Sequence, residues 1–137
     1  MKRTLKGIKS TLQKIIISSS CFFALQASAQ VNFTEIDGSL LHSQYYPNPN
    51  SRFKGTIIFQ NGTGSSIGAW SANHTFFECI KQFGNLFLYD RSGLGKSSPD
   101  FSVSPLNPIT AELVNSKLSQ LLEKINIKAP YILFHTL

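Results

Sequence analysis

The sequence predicts an α/β protein with a mostly parallel sheet that opens on an antiparallel N-terminal hairpin. Three short apolar runs carry the prediction: Thr56-Ile57-Ile58-Phe59, Asn85 to Tyr89, and Tyr131-Ile132-Leu133-Phe134. Each has the length and β-branched or aromatic content of a strand buried on both faces. The segments between them carry helical spacing, and strand, helix, strand, helix, strand is the order of a parallel sheet with crossover helices.

The first 29 residues predict an export signal. Lys2, Arg3, Lys6, Lys9 and Lys14 make a basic start, Ile15 to Leu25 an apolar stretch, and Ala27-Ser28-Ala29 a small-x-small cleavage pattern. The apolar stretch is shorter than the roughly 18 residues a membrane span needs, so no stable membrane anchor is expected. Cys21 suggests a lipoprotein, but Ser18 stands where a lipid-anchoring signal needs a leucine-like residue. The expectation is cleavage after Ala29 and a periplasmic or secreted domain over 30–137.

Removing that segment changes the charge. Five of the 13 Lys and Arg lie in it and all 7 acidic residues lie beyond, leaving a net charge of about +1. Such a balance gives no nucleic-acid footprint. Cys79 alone of the two cysteines remains, so no internal disulfide is expected, and it reads as a small apolar residue on a helix.

Within the domain, Val31 to Asp37 alternates apolar and polar, Gly38-Ser39 turns, and Leu40 to Tyr46 returns, which predicts the hairpin. Pro47-Asn48-Pro49-Asn50-Ser51 breaks the chain before the first buried strand. Trp70, Phe77, Ile80 and Gly84 then fall at near-helical spacing and predict one amphipathic helix over 69–83. Asn107-Pro108, with Glu112 behind it, reads as the start of a second helix. Val114, Leu118, Leu121, Leu122 and Ile125 give that helix its apolar face, and Ala129-Pro130 ends it.

Two glycine loops follow the first two buried strands, at the strand ends where parallel sheets bind ligands. Gly95-Lys96-Ser97 looks like the tail of a phosphate loop, but Asp90 stands where that loop needs its first glycine, and 98–105 is irregular rather than helical. Gly62-Thr63-Gly64-Ser65-Ser66-Ile67-Gly68 has the spacing GxGxxxG rather than the dinucleotide GxGxxG. Neither loop supports a nucleotide site, and no cofactor or metal is expected.

"FQNGTGSS" (59–66), "DRSGLGKS" (90–97) and "APYILFHTL" (129–137), in that order, resemble the α/β-hydrolase family. The resemblance spans nearly all of 31–137, and DRSGLGKS is its most specific part. It implies an α/β-hydrolase-like fold, incomplete in this chain, and a parent that hydrolyses a small-molecule ester, amide or similar bond with a Ser-His-Asp triad. The Thr63 N–H becomes an oxyanion-hole donor, with Gly62 allowing close approach and Asn61 replacing the family's frequent histidine. Asp90, Arg91, Gly93, Gly95 and Ser97 become the structural loop beside the site.

The catalytic members of that triad are not expected here. A nucleophile elbow is strained and needs flanking glycines, which His135 and Thr136 lack. His42 and His74 precede the elbow and read as surface or packing residues. The expectation is an inactive N-terminal half of a hydrolase, with a short secreted non-catalytic binding domain as the alternative. As a half, it should expose the 131–134 strand as an edge and uncover Ile57, Phe59, Leu86, Leu88 and Ile132.

Overall fold

The computed structural model of the chain describes residues 28–136. The predicted signal therefore lies almost wholly outside the described residues. Strands β1 (Gln30–Ile36) and β2 (Ser39–Tyr46) form the antiparallel hairpin, in register from Ile36 opposite Ser39 to Gln30 opposite Tyr45. Asp37 and Gly38 both take positive φ, 45° and 74°, the pair of left-handed residues a two-residue hairpin turn requires.

Strands β3 (Thr56–Gln60), β4 (Asn85–Tyr89) and β5 (Tyr131–His135) complete a five-stranded sheet of order β1-β2-β4-β3-β5. β2 meets β4 antiparallel, while β3 runs parallel to both β4 and β5. Alternation along β3 and β4 divides the core. Ile58, Phe87 and Tyr89, with Ile36 and Leu41, pack on Leu118, Leu121, Leu122 and Ile127. Ile57, Phe59, Leu86 and Leu88 pack on Ile67 and Phe77 from the opposite side. Helices thus cover both faces of the two middle strands.

The helices depart from the sequence expectation in two places. The segment predicted as one helix forms two, α1 (Ile67–Ser71) and α2 (His74–Ile80). Asn73 causes the break: its Oδ1 accepts from Phe76 N at 3.1 Å, so it caps α2 rather than continuing α1. Helix α3 (Ala111–Lys124) starts three residues beyond the expected Asn107-Pro108, with Thr110 as cap through Oγ1 to Leu113 N, 3.2 Å. Asn107 is engaged elsewhere, donating from Nδ2 to the Ser102 carbonyl at 2.8 Å. At the far end Asn126 turns left-handed (φ 59°), and Asn126 N and Ile127 N donate back to the Glu123 and Leu122 carbonyls.

The burial expectations divide in the same way. β5 is exposed along its length and forms one edge of the sheet. Ile57, Phe59, Leu86 and Leu88, expected to lose cover, are no more than 3% exposed, because α1 and α2 lie over them. Ile132, at 43%, is the exposed one of the five. Cys79 lies on α2 as expected, but on its exposed side.

Lys117 lies on the apolar stripe of α3 and is buried. Its Nζ reaches Asp100 Oδ2 at 2.6 Å and donates to Ser39 Oγ at 3.0 Å, tying α3, the 98–105 segment and β2 together. The hydrogen bond from Lys117, followed by that from the Ser102 hydroxyl, lowers the Asp100 pKa from 3.8 to about 2. A carboxylate more acidic in the folded than in the unfolded chain adds stability above the unfolded pKa and loses it as pH falls through the folded one. Unfolding midpoints in urea should therefore drop between about pH 4 and pH 2 in part through Asp100. Asp100→Asn should flatten that acid limb while lowering stability at pH 7; an unchanged limb would remove Asp100 from the account.

Candidate functional site

The C-terminal ends of β3, β4 and β5 point the same way, and the register sets Gln60 beside His135 and Phe59 beside both Leu88 and Phe134. Three segments distant in sequence therefore meet at one end of the sheet: the 61–66 loop, the loop from Asp90 to Ser98, and Thr136.

The first loop is anchored at its base and open at its tip. Asn61 is buried and donates from Nδ2 to the Tyr89 carbonyl at 3.2 Å, fixing the end of β3 to the end of β4. Gly62 is held twice: its N–H donates to Thr136 Oγ1 at 2.8 Å and its carbonyl accepts from Arg91 Nη2 at 2.6 Å. Thr63 and Gly64 are exposed, and the Thr63 N–H donates to none of the described residues. Gly64 sits at φ 76°, where a side chain would strain the turn.

Asp90 organises the second loop. It is 2% exposed, and its two oxygens are shared among three donors. Oδ1 accepts from Ile67 N, the first residue of α1, at 2.7 Å; Oδ2 accepts from Lys96 N at 3.1 Å and contacts His42 Nδ1 at 2.7 Å. Gly95 (φ 54°) presses its backbone on this carboxylate so closely that a Cβ would collide with it. Gly93 is also left-handed, at φ 77°.

Ser97 joins the two loop ends to the hairpin. Its hydroxyl donates to the Asp90 carbonyl at 2.7 Å and accepts from His42 N at 2.8 Å, bridging these two groups while Asp90 N donates directly to the His42 carbonyl at 2.9 Å. Ser98 Oγ accepts from Leu40 N one step further on, at 2.7 Å.

The site residues read from sequence are therefore neighbours: Gly62 with Arg91, and Asp90 with Gly95 and Ser97. His42, read from the sequence as a surface or packing residue, does pack, and it also has a partner that reading did not include. It is 2% exposed, its ring packs 5.0 Å from Phe33, and it pairs with a carboxylate 48 positions away, a relation that no local pattern encodes. His74 opens α2 at the exposed surface, and Thr136 serves as an acceptor for Gly62.

No protein-family model matches the chain. Among solved structures, a predicted CIB-like hydrolase from Thermoplasma acidophilum superposes with a TM-score of 0.63 at 15% identity, over 80% of this chain and 51% of that one. The Cif epoxide hydrolase from Acinetobacter nosocomialis superposes with a TM-score of 0.60 at 22% identity, over 78% of this chain and 30% of that one. The chain has the α/β-hydrolase fold. By sequence, the chain is 31% identical over 97 residues to the uncharacterized protein YqjL of Bacillus subtilis, matching 71% of its own length and 34% of YqjL. It thus spans between about a third and a half of the proteins it resembles. Among the described residues, no helix is long and apolar enough to cross a membrane, and no three His, Cys, Asp or Glu cluster as metal ligands would.

Proposed function

We propose that the chain is the N-terminal part of an exported α/β-hydrolase that cleaves an ester, amide or similar bond in a small molecule, and that it contributes the oxyanion side of that site. The observation that carries the proposal is the Thr63 N–H, undonated among the described residues at the tip of a glycine loop whose base is fixed by Asn61, Arg91 and Thr136. A donor fixed in advance stabilises the charge that develops on a carbonyl oxygen without reorganising, and removing one such donor typically costs about 3 to 4 kcal/mol of transition-state stabilisation. Gly62 lets the backbone approach. Asp90, Arg91, Gly93, Gly95 and Ser97 are scaffold: they hold the loop and α1 against the strand ends and touch no substrate. The hydrolase names carried by structures of the same fold support a small-molecule substrate for the whole protein.

In this reading the 137-residue chain does not turn over substrate. Thr136 lacks the flanking glycines of an elbow, and its hydroxyl is occupied by the Gly62 N–H. Expressed with its first 29 residues, the chain should be recovered from outside the cytoplasm with the mass of a protein starting at Gln30. It should give no burst with an activated ester and no adduct with a serine-directed phosphonate. An adduct on Thr136 or on any serine, lost on denaturation, overturns the assignment of inactivity. Hydrogen exchange tests the oxyanion side separately: Gly62 N–H should be protected and Thr63 N–H should exchange freely, and protection at Thr63 would remove the proposed donor.

A further inference from the structure

A small cavity lies on the α3 side of the sheet, between the end of β4, the 98–105 segment and α3, and its walls include Tyr89, Arg91, Ser92, Asp100, Leu113 and Val114. Its volume is about 10 Å³. Three polar atoms of these residues, Tyr89 Oη, Arg91 Nε and Ser92 Oγ, are buried and make no hydrogen bond among the described residues, and Lys117 also lines the cavity. Asp100 Oδ2 is held by Lys117 Nζ at 2.6 Å and keeps a second lone pair that can accept. Buried polar groups without partners are costly, and three such side-chain atoms belong to residues lining one cavity.

The chemistry of the four groups selects what can sit among them. Arg91 Nε–H can only donate, and the Asp100 carboxylate can only accept. An occupant must therefore accept and donate together, which excludes a halide and excludes a metal or ammonium ion. Tyr89 and Ser92 hydroxyls can turn to serve either way, and burial keeps the Tyr89 phenol protonated, with its pKa up to about 12. The volume is that of the smallest cavity able to hold one water, roughly 10 to 15 Å³, and two to four polar partners are what such a water needs. We infer that this cavity is a specific site for a single internal water, bound by Tyr89 Oη, Arg91 Nε, Ser92 Oγ and Asp100 Oδ2. The site goes beyond the proposed hydrolase role and stands without it. Its consequence is local: Arg91 is held by water at Nε while Nη2 holds the Gly62 carbonyl, so the guanidinium bridges the cavity and the 61–66 loop.

The test uses the full chain in two ways. Crystals grown in sodium bromide should show one light-atom density within hydrogen-bond distance of Arg91 Nε and at least two of the other three atoms, without anomalous signal. A bromide peak there, or a direct Arg91–Ser92 hydrogen bond in place of the density, overturns the proposal. In solution, the Arg91 Nε–H should show a cross-relaxation peak to water with the sign of a long-lived complex. Ser92→Val, which puts two methyl groups in place of the one hydroxyl and so fills the cavity, should abolish that peak. A wild-type chain lacking the peak, or a variant retaining it, equally overturns the assignment.

Discussion

Asp90→Ala is expected to unfold the domain or to lower its stability by several kcal/mol, because each buried donor left without its acceptor typically costs about 1 to 3 kcal/mol. The substitution leaves Ile67 N, Lys96 N and His42 Nδ1 without their shared acceptor, at one junction of α1, the second loop and β2. A domain of this size has only a marginal reserve, so a loss of that order uses most of it. Asp90→Asn should fall between the two, because an amide has one acceptor oxygen where the carboxylate uses two. Urea denaturation of the purified variants checks the order; a loss below about 1 kcal/mol for alanine would show that the junction is redundant.

Half of this hub was legible in the sequence and half was not. The role of Asp90 followed from the resemblance of DRSGLGKS to the α/β-hydrolase segment, and the strands themselves followed from three runs too short for helices. The α3 face was read correctly from Val114, Leu118, Leu121, Leu122 and Ile125, of which the middle three are buried. What the sequence did not disclose depends on side chains choosing between local and distant partners. Asn73 capped a second helix inside the segment read as one, and Thr110 took the capping position expected of Asn107. His42 found a partner 48 residues away. Lys117 left the one readable trace, a lysine beside Leu118 and four residues before Leu121 on the apolar stripe, which signals a buried partner for its charge.

The edge strand sets the second large effect. Tyr131, Ile132, Leu133 and Phe134 are 37–52% exposed, and among the described residues β5 pairs only with β3. A flat apolar edge with unpaired N–H and C=O groups is a template for pairing with another chain. The 137-residue chain should therefore aggregate at micromolar concentration, and Ile132→Lys with Leu133→Lys should shift it toward a monomer, placing one charge on each face of the strand. Phe134 is better retained, because it stacks on Phe59 at 5.4 Å between ring centres and covers the core there. Size-exclusion chromatography with light scattering decides the matter. A wild-type chain that is monomeric with a sharp melt would show that the edge is tolerated, and would favour a compact binding domain over part of an enzyme. The same double variant is the soluble background in which to measure Asp90.

The bond between Gly62 N and Thr136 Oγ1 joins residues 74 positions apart. Contacts of such long sequence separation form only after a large loop has been closed, and closure entropy delays them in folding. The β1–β2 hairpin, with a two-residue turn, carries no such cost and can pair early. The geometry of the 61–66 loop is thus acquired late, once β5 has docked on β3. A ribosome emitting this chain in order releases the loop long before the hydroxyl that pins it, so the loop waits, unfixed, for the last strand to arrive.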